Sequence, residues 1–76
     1  MKTERLLAHL AQLGFVIIRQ NGSHRQMYSD QVGRQLTLSF HDGREVSATA
    51  VKKVLMTDVG LSEADALALV TGRRRK

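Results

Sequence analysis

The dipeptide Asn21-Gly22 constrains this chain more than any other two residues. An apolar run, Phe15-Val16-Ile17-Ile18, leads into it, and residues 24–30 lead out as a second candidate strand. Asn-Gly tolerates positive φ at both central positions of a tight turn, so the stretch predicts a β-hairpin with a two- or three-residue loop. The loop carries Ser23 and sets His24 at the first residue of the returning strand. A rigid turn fixes where that imidazole points. Imidazole ordinarily titrates at about pH 6.5, which suits it to proton transfer under cellular conditions. The same local pattern also describes an ordinary polar surface histidine, so the hairpin alone leaves both readings open.

The segments around the hairpin set the fold class. Leu6, Leu10 and Leu13 recur at helical spacing and predict a helix from residue 2 or 3 to residue 13. Thr3 is its expected cap, Glu4 suits its positive end and Gly14 its stop, while His9 sits at the edge of the apolar stripe. The first strand covers residues 15–20; its apolar half leaves open whether Phe15 and Ile17 or Val16 and Ile18 face the core. The second strand is mostly polar, as expected of a strand with one face in water. After a turn at residues 31–33, residues 34–40 alternate: Leu36, Leu38 and Phe40 share one face, Gln35, Thr37 and Ser39 the other. A loop at residues 41–45 precedes a helix over residues 48–59, capped by Ser47, with Val51, Val54 and Leu55 as its stripe. Gly60 stops it, and Ser62-Glu63-Ala64-Asp65 is a capping-box signature for a short helix over residues 62–70. The order is α-β-β-β-α with a short C-terminal helix. This is an α+β fold, a three-stranded antiparallel sheet backed by helices, of the double-stranded-RNA-binding-domain type. Other small α+β folds share the same elements.

Length and charge bound what such a domain can do. The 76 residues suffice for one small domain, placed at residues 1–71, with a basic tail at 72–76. The net charge of +5 suggests a polyanion partner, but Arg73, Arg74, Arg75 and Lys76 account for most of it. The rest of the chain holds eight basic against seven acidic side chains, so charge alone is a weak argument for nucleic acid. There is no cysteine, which excludes disulfides and thiolate metal sites and fits a reducing cytoplasm. Neither a membrane span nor a signal-peptide pattern is present, so a cytoplasmic protein is expected.

The chemistry narrows by elimination. No Gly-rich phosphate loop occurs, and His9, His24 and His41 are far apart in sequence, so neither a nucleotide cofactor nor a metal site is expected. Phe15, Tyr28 and Phe40 are too few aromatics for a base-stacking platform. What remains is histidine among basic and hydroxyl groups. His24 lies between Ser23 and Arg25, His41 opens the loop after the third strand, and Arg19, Arg25, Arg44, Lys52 and Lys53 can place positive charge nearby. That set suits cleavage of an RNA phosphodiester, where an imidazole moves a proton and cations stabilise the extra phosphate charge. A metal is not required, because the ribose supplies its own nucleophile. A non-catalytic RNA-binding module and a protein-interaction domain are the alternatives.

Several of these residues together resemble a known family. Gly14-Phe15, Arg19, Gly22-Ser23-His24-Arg25, Gly33-Arg34, Phe40-His41 and the Val51 to Leu61 helix ending in Gly60-Leu61 stand in the order and spacing of the HicA toxins. The similarity runs over residues 5–67. It implies a double-stranded-RNA-binding-domain-like fold and an mRNA interferase of a type II toxin–antitoxin system. It also implies growth arrest and neutralisation by a HicB-type antitoxin; a monomer when alone and a hetero-oligomer with the antitoxin are expected. The family's catalytic histidine matches His24. On this reading Ser23 and Arg25 position or bind phosphate, Arg19, Lys52 and Lys53 contact or guide RNA, and His41 is a possible auxiliary residue.

Overall fold

The structure is a computed structural model that describes residues 1–71, and it has the expected order of elements; the basic tail lies outside the described residues. Helix α1 (Thr3–Gln12) is followed by strands β1 (Val16–Asn21), β2 (His24–Ser29) and β3 (Arg34–Leu38). Helix α2 (Ala48–Lys53) runs on into a π-helical segment, Val54–Asp58, and α3 (Glu63–Thr71) closes the described chain. The architecture is α+β, with helices backing one face of a three-stranded antiparallel sheet.

Helix α1 begins differently from the expectation. Lys2 is its N-cap and makes no side-chain cap bond, while Thr3 is the first helical residue and is buried. The Thr3 hydroxyl and N–H both donate to the Arg44 carbonyl, at 3.2 and 3.0 Å. The reason is tertiary. Lys2 bridges Glu45, Val46 N–H donates to the Met1 carbonyl at 2.7 Å, and the terminal ammonium pairs with Glu45. The segment before α2 thus satisfies donors that a local cap would otherwise serve. At the other end Gly14, at φ +86°, lets its own N–H reach Ala11 O and Phe15 N–H reach Leu10 O. This paired pattern ends the helix as expected of a left-handed glycine and drops Phe15 into the core.

The core lies between the helices and one sheet face. Leu6, Leu10, Met27, Leu38, Val51 and Leu55 are among its buried members. Ser29 is fully buried with them, donating to Leu13 O at 2.7 Å and accepting from Val32 N–H at 3.0 Å, which ties the end of α1 to the β2–β3 turn. His9 is also buried, with neither ring nitrogen hydrogen-bonded, rather than standing at the edge of the stripe. Burial, and then the Arg5 guanidinium, push its pKa down.

Strand β3 stops at Leu38, short of Phe40, because the Phe40 carbonyl is taken by the Arg25 side chain instead of a ladder partner. Ser47 caps α2 by accepting from Ala50 N–H, as its position predicts. The expected helix over residues 48–59 changes pitch at Val54, where Val59 N–H reaches back five residues to Val54 O at 2.9 Å. The wider turn sets Val54 and Val59, five apart, into the same buried layer. Ser62 caps α3 by accepting from Asp65 N–H.

Candidate active site

The hairpin is present, with its loop shifted by one residue from the expectation. Asn21 remains in β1 and pairs directly with His24, so the loop residues are Gly22 and Ser23. Positive φ is confined to Gly22, at +63°; Asn21 does not adopt it. A glycine at the first loop position is the pattern of a type II′ turn, whose twist matches that of the flanking strands. Gln20 Nε2 donates to Gly22 O at 3.1 Å across the turn. His24 therefore starts β2 at a defined height, directly opposite a ladder residue.

The register assigns every side chain to a face. Arg25, Met27 and Ser29 are buried on the helix side, so His24, Gln26 and Tyr28 stand on the open face. Gln35 and Thr37 of β3 lie beside Tyr28 and Gln26 on that same face. His24 is exposed, and its imidazole has no hydrogen-bond partner among the described residues.

Strand β1 contributes through an irregularity. Ile17 pairs with Met27 but Arg19 pairs with Gln26, so Ile18 is an extra residue, a β-bulge. Without it, pairing continued from the turn would put Ile17 opposite Tyr28 and Val16 opposite Ser29. Asn21, opposite His24, and Arg19, opposite Gln26, stand on the His24 face by unbroken pairing from the turn, and the bulge turns Val16 to that face and Ile17 to the helix side. Arg19 is exposed and makes no ion pair among the described residues.

The other sequence candidates fall in three places. Ser23 is half-buried in the loop beside His24. Arg25 turns away from His24 into the helix side, where Nη1 donates to Phe40 O at 3.0 Å and Nη2 pairs with the Asp42 carboxylate. Because Arg25 pairs with Leu38, the loop carrying His41 leaves the sheet at the same end as the hairpin turn. That loop is held from several sides: Arg44 N–H donates to His41 O, Gly43 N–H to the Glu4 carboxylate at 2.8 Å, and Lys2 Nζ to Gly43 O. Lys52 and Lys53 belong to the helix layer and are not brought to His24. Lys52 Nζ lies 3.3 Å from Glu63 and Lys53 Nζ 3.9 Å from Asp58. Lys53 lines a polar groove with Arg34, Thr37, Thr57 and Asp58 between β3 and the π-helical segment.

The sequence reading overlooked Asn21, Gln26, Tyr28, Gln35 and Thr37 as members of the His24 face. Counting by twos from His24 finds Gln26 and Tyr28. Asn21 follows from its place opposite His24 across the two-residue loop, and Arg19 from counting back by two from Asn21.

A histidine on an open face, with an arginine beside it and a polar strand behind, can move a proton and hold an anion. The fold and this site define a small α+β domain with an exposed imidazole, that of His24, at a hairpin mouth. The family model described as the HicA toxin of bacterial toxin–antitoxin matches residues 3–61. The chain belongs to the HicA toxin family, and it is the toxin component of a toxin–antitoxin pair. No curated protein and no solved structure gave a match.

Proposed function

We propose that the chain is an mRNA-cleaving endoribonuclease that uses His24 as its general acid or base and that a HicB-type antitoxin neutralises it. The observation that carries this is the placement of His24. It stands exposed on a sheet face, next to a two-residue turn, with neither ring nitrogen hydrogen-bonded among the described residues and the Arg19 strand alongside. RNA brings its own nucleophile. The 2′-oxygen attacks phosphorus, the bond to the 5′-oxygen breaks, and a 2′,3′-cyclic phosphate and a 5′-hydroxyl result. The imidazole takes the 2′-hydroxyl proton or delivers one to the departing 5′-oxygen. A cation beside the phosphate stabilises the added charge of the transition state.

Arg19 is the best placed cation for that role, because its pairing opposite Gln26 sets it on the His24 face. Ser23, in the turn, is near enough in the chain to help hold a phosphate. Arg25 acts at one remove: its guanidinium is engaged with Phe40 O and Asp42, so it positions the loop that carries His41. Lys52 and Lys53 attract RNA at longer range from the helix layer. The site of action is the cytoplasm, where mRNA is; among the described residues no helix is long and apolar enough to cross a membrane.

The test is cleavage of mRNA by the purified chain beside His24→Ala. One imidazole acting in acid–base catalysis contributes about 10²–10⁴-fold. A loss of that size with unchanged folding supports the reading, and equal rates refute it. A protein-interaction role has its own support in the exposed apolar residues of β1, and it is compatible with the first. An antitoxin that covers the open face removes His24 from RNA.

A further inference from the structure

The two edges of the sheet are built differently. The β3 edge carries Arg34, Gln35 and Thr37, and the π-helical segment lies over it with Lys53, Thr57 and Asp58. Arg34 also packs across Gly60, its guanidinium within 3.2–3.4 Å of where a Cβ would sit. This edge is charged and covered, as free-standing sheets require. The β1 edge has neither protection over its first half. Val16, Ile17 and Ile18 are 59, 45 and 53% exposed, with no proline and no charge until Arg19. Val16 lies beside Tyr28, another exposed large apolar residue.

We propose that β1 is where the antitoxin docks, and that it does so by adding an extended strand of its own to this edge. This rests on the reading of the chain as a toxin held by a protein antitoxin. Three observations select strand addition over other modes. The exposed apolar atoms lie on both faces of one strand, Val16 on the open side and Ile17 on the helix side. A partner lying only on the open face would leave Ile17 bare, whereas a neighbouring strand presents side chains to both faces at once. The unpaired amides and carbonyls of an outermost strand supply its main-chain partners. Finally, the edge is continuous with the site, because Asn21 at its end pairs with His24. An added strand with aliphatic residues opposite Val16 and Ile17, and a carboxylate opposite Arg19, thus reaches the hairpin mouth.

A second copy of this chain fits the edge less well. Six residues of strand span only about 20 Å, and strand pairing of that length alone falls well short of the roughly 1,000 Å² that a stable interface buries. The occupant has to continue over Tyr28 and the His24 face. The apolar edge is equally unsuited to RNA, whose phosphates seek cations.

The experiment uses the full chain carrying His24→Ala, so that binding is read without catalysis. The probe is the antitoxin encoded beside it. Val16→Lys and Ile17→Lys each replace an exposed side chain, and each is expected to raise the Kd at least tenfold. Leu67→Lys, on the exposed part of α3, is expected to leave it within twofold. Hydrogen exchange of the parent complex, which needs no edge variant, is expected to show amides of residues 16–21 slowed at least tenfold on binding. Unchanged affinity in both edge variants, or unchanged exchange along β1 in a formed complex, overturns the proposal and leaves the nuclease reading intact. Failure of the parent chain to bind the antitoxin overturns the partner reading as well. Concentration-dependent dimers of the free chain that Ile17→Lys abolishes would assign the edge to a second copy. Protection of β1 by RNA instead of antitoxin would assign it to substrate.

Discussion

Replacing Arg25 by methionine tests whether a buried guanidinium holds the His41 loop to the sheet. Arg25 is the one arginine or lysine buried among the described residues, and two partners meet it there: the Phe40 carbonyl at 3.0 Å and the Asp42 carboxylate. Methionine keeps most of the aliphatic stem, so little cavity opens. The loss is then mainly polar. A hydrogen bond from a charged donor contributes about 1.5–3 kcal/mol. The ion pair adds less, because the Asp42 side chain is 70% exposed; a pair screened in this way is worth about 0.2–1 kcal/mol. Together these predict a cost of about 2–4 kcal/mol. For a domain of this size each kcal/mol lowers Tm by roughly 4–8 °C. Urea unfolding, read at the midpoint with the slope checked for constancy, measures it directly. Asp42→Asn removes only the ionic part and should cost no more than about 1 kcal/mol. If Arg25→Met unfolds at the wild-type midpoint, the guanidinium does not anchor the loop. If Asp42→Asn costs as much as Arg25→Met, the carboxylate and not the Phe40 carbonyl is the main anchor, and the argument from exposure is wrong.

Other perturbations follow from single contacts. Gly14→Ala forces a Cβ into a left-handed position and within 3.0 Å of Ser29 Oγ; a loss of about 1–2 kcal/mol from backbone conformation alone is expected in thermal unfolding, more if Ser29 cannot shift. Ser29→Ala leaves Leu13 O and Val32 N–H without their buried partner and should destabilise by about 2–4 kcal/mol, with amides of residues 31–33 exchanging faster. His9 is held neutral by burial and by Arg5, so its folded pKa lies below the unfolded value of 6.5. The unfolded chain then binds the proton more readily. Its contribution to stability is present above about pH 6.5 and is lost as pH falls through the folded pKa. His9→Leu should flatten the unfolding midpoint in that acid window, and an unchanged pH profile would show that His9 is not the group responsible.

Much of this protein could be read from the order of its residues, for local reasons. The alternation of Leu36 and Leu38 with Gln35 and Thr37 depends only on the two-residue period of a strand, and the structure has it on the expected faces. Gly14, Ser47 and Ser62 end or begin helices because their effects act within one turn of the chain. The hairpin was likewise legible, since Gly22 is the residue that frees the turn, though its partner in the loop proved to be Ser23 and not Asn21. So was His24 at the hairpin mouth.

The surroundings of that histidine were decided elsewhere. Only the pairing of β1 with β2 shows that Arg19, opposite Gln26, shares the face of His24, and that a bulge at Ile18 then turns Val16 to the open side and Ile17 to the helix side. Arg25 looks like an exposed neighbour of His24 in the chain. It is buried because residues 24 and 25 of a strand point to opposite faces, and because Phe40 O and Asp42, fifteen and seventeen residues away, are there to meet it. Thr3 was expected to cap its own helix, but the Arg44 carbonyl, more than forty residues on, draws its hydroxyl instead. The apolar run Val16-Ile17-Ile18 reads as core in any one-dimensional pattern. It is exposed because β1 is the outermost strand, beyond the reach of the helices. Local periodicity and turn chemistry determine which elements form. Which faces are covered, and by what, is settled by contacts between residues that the chain brings together only on folding.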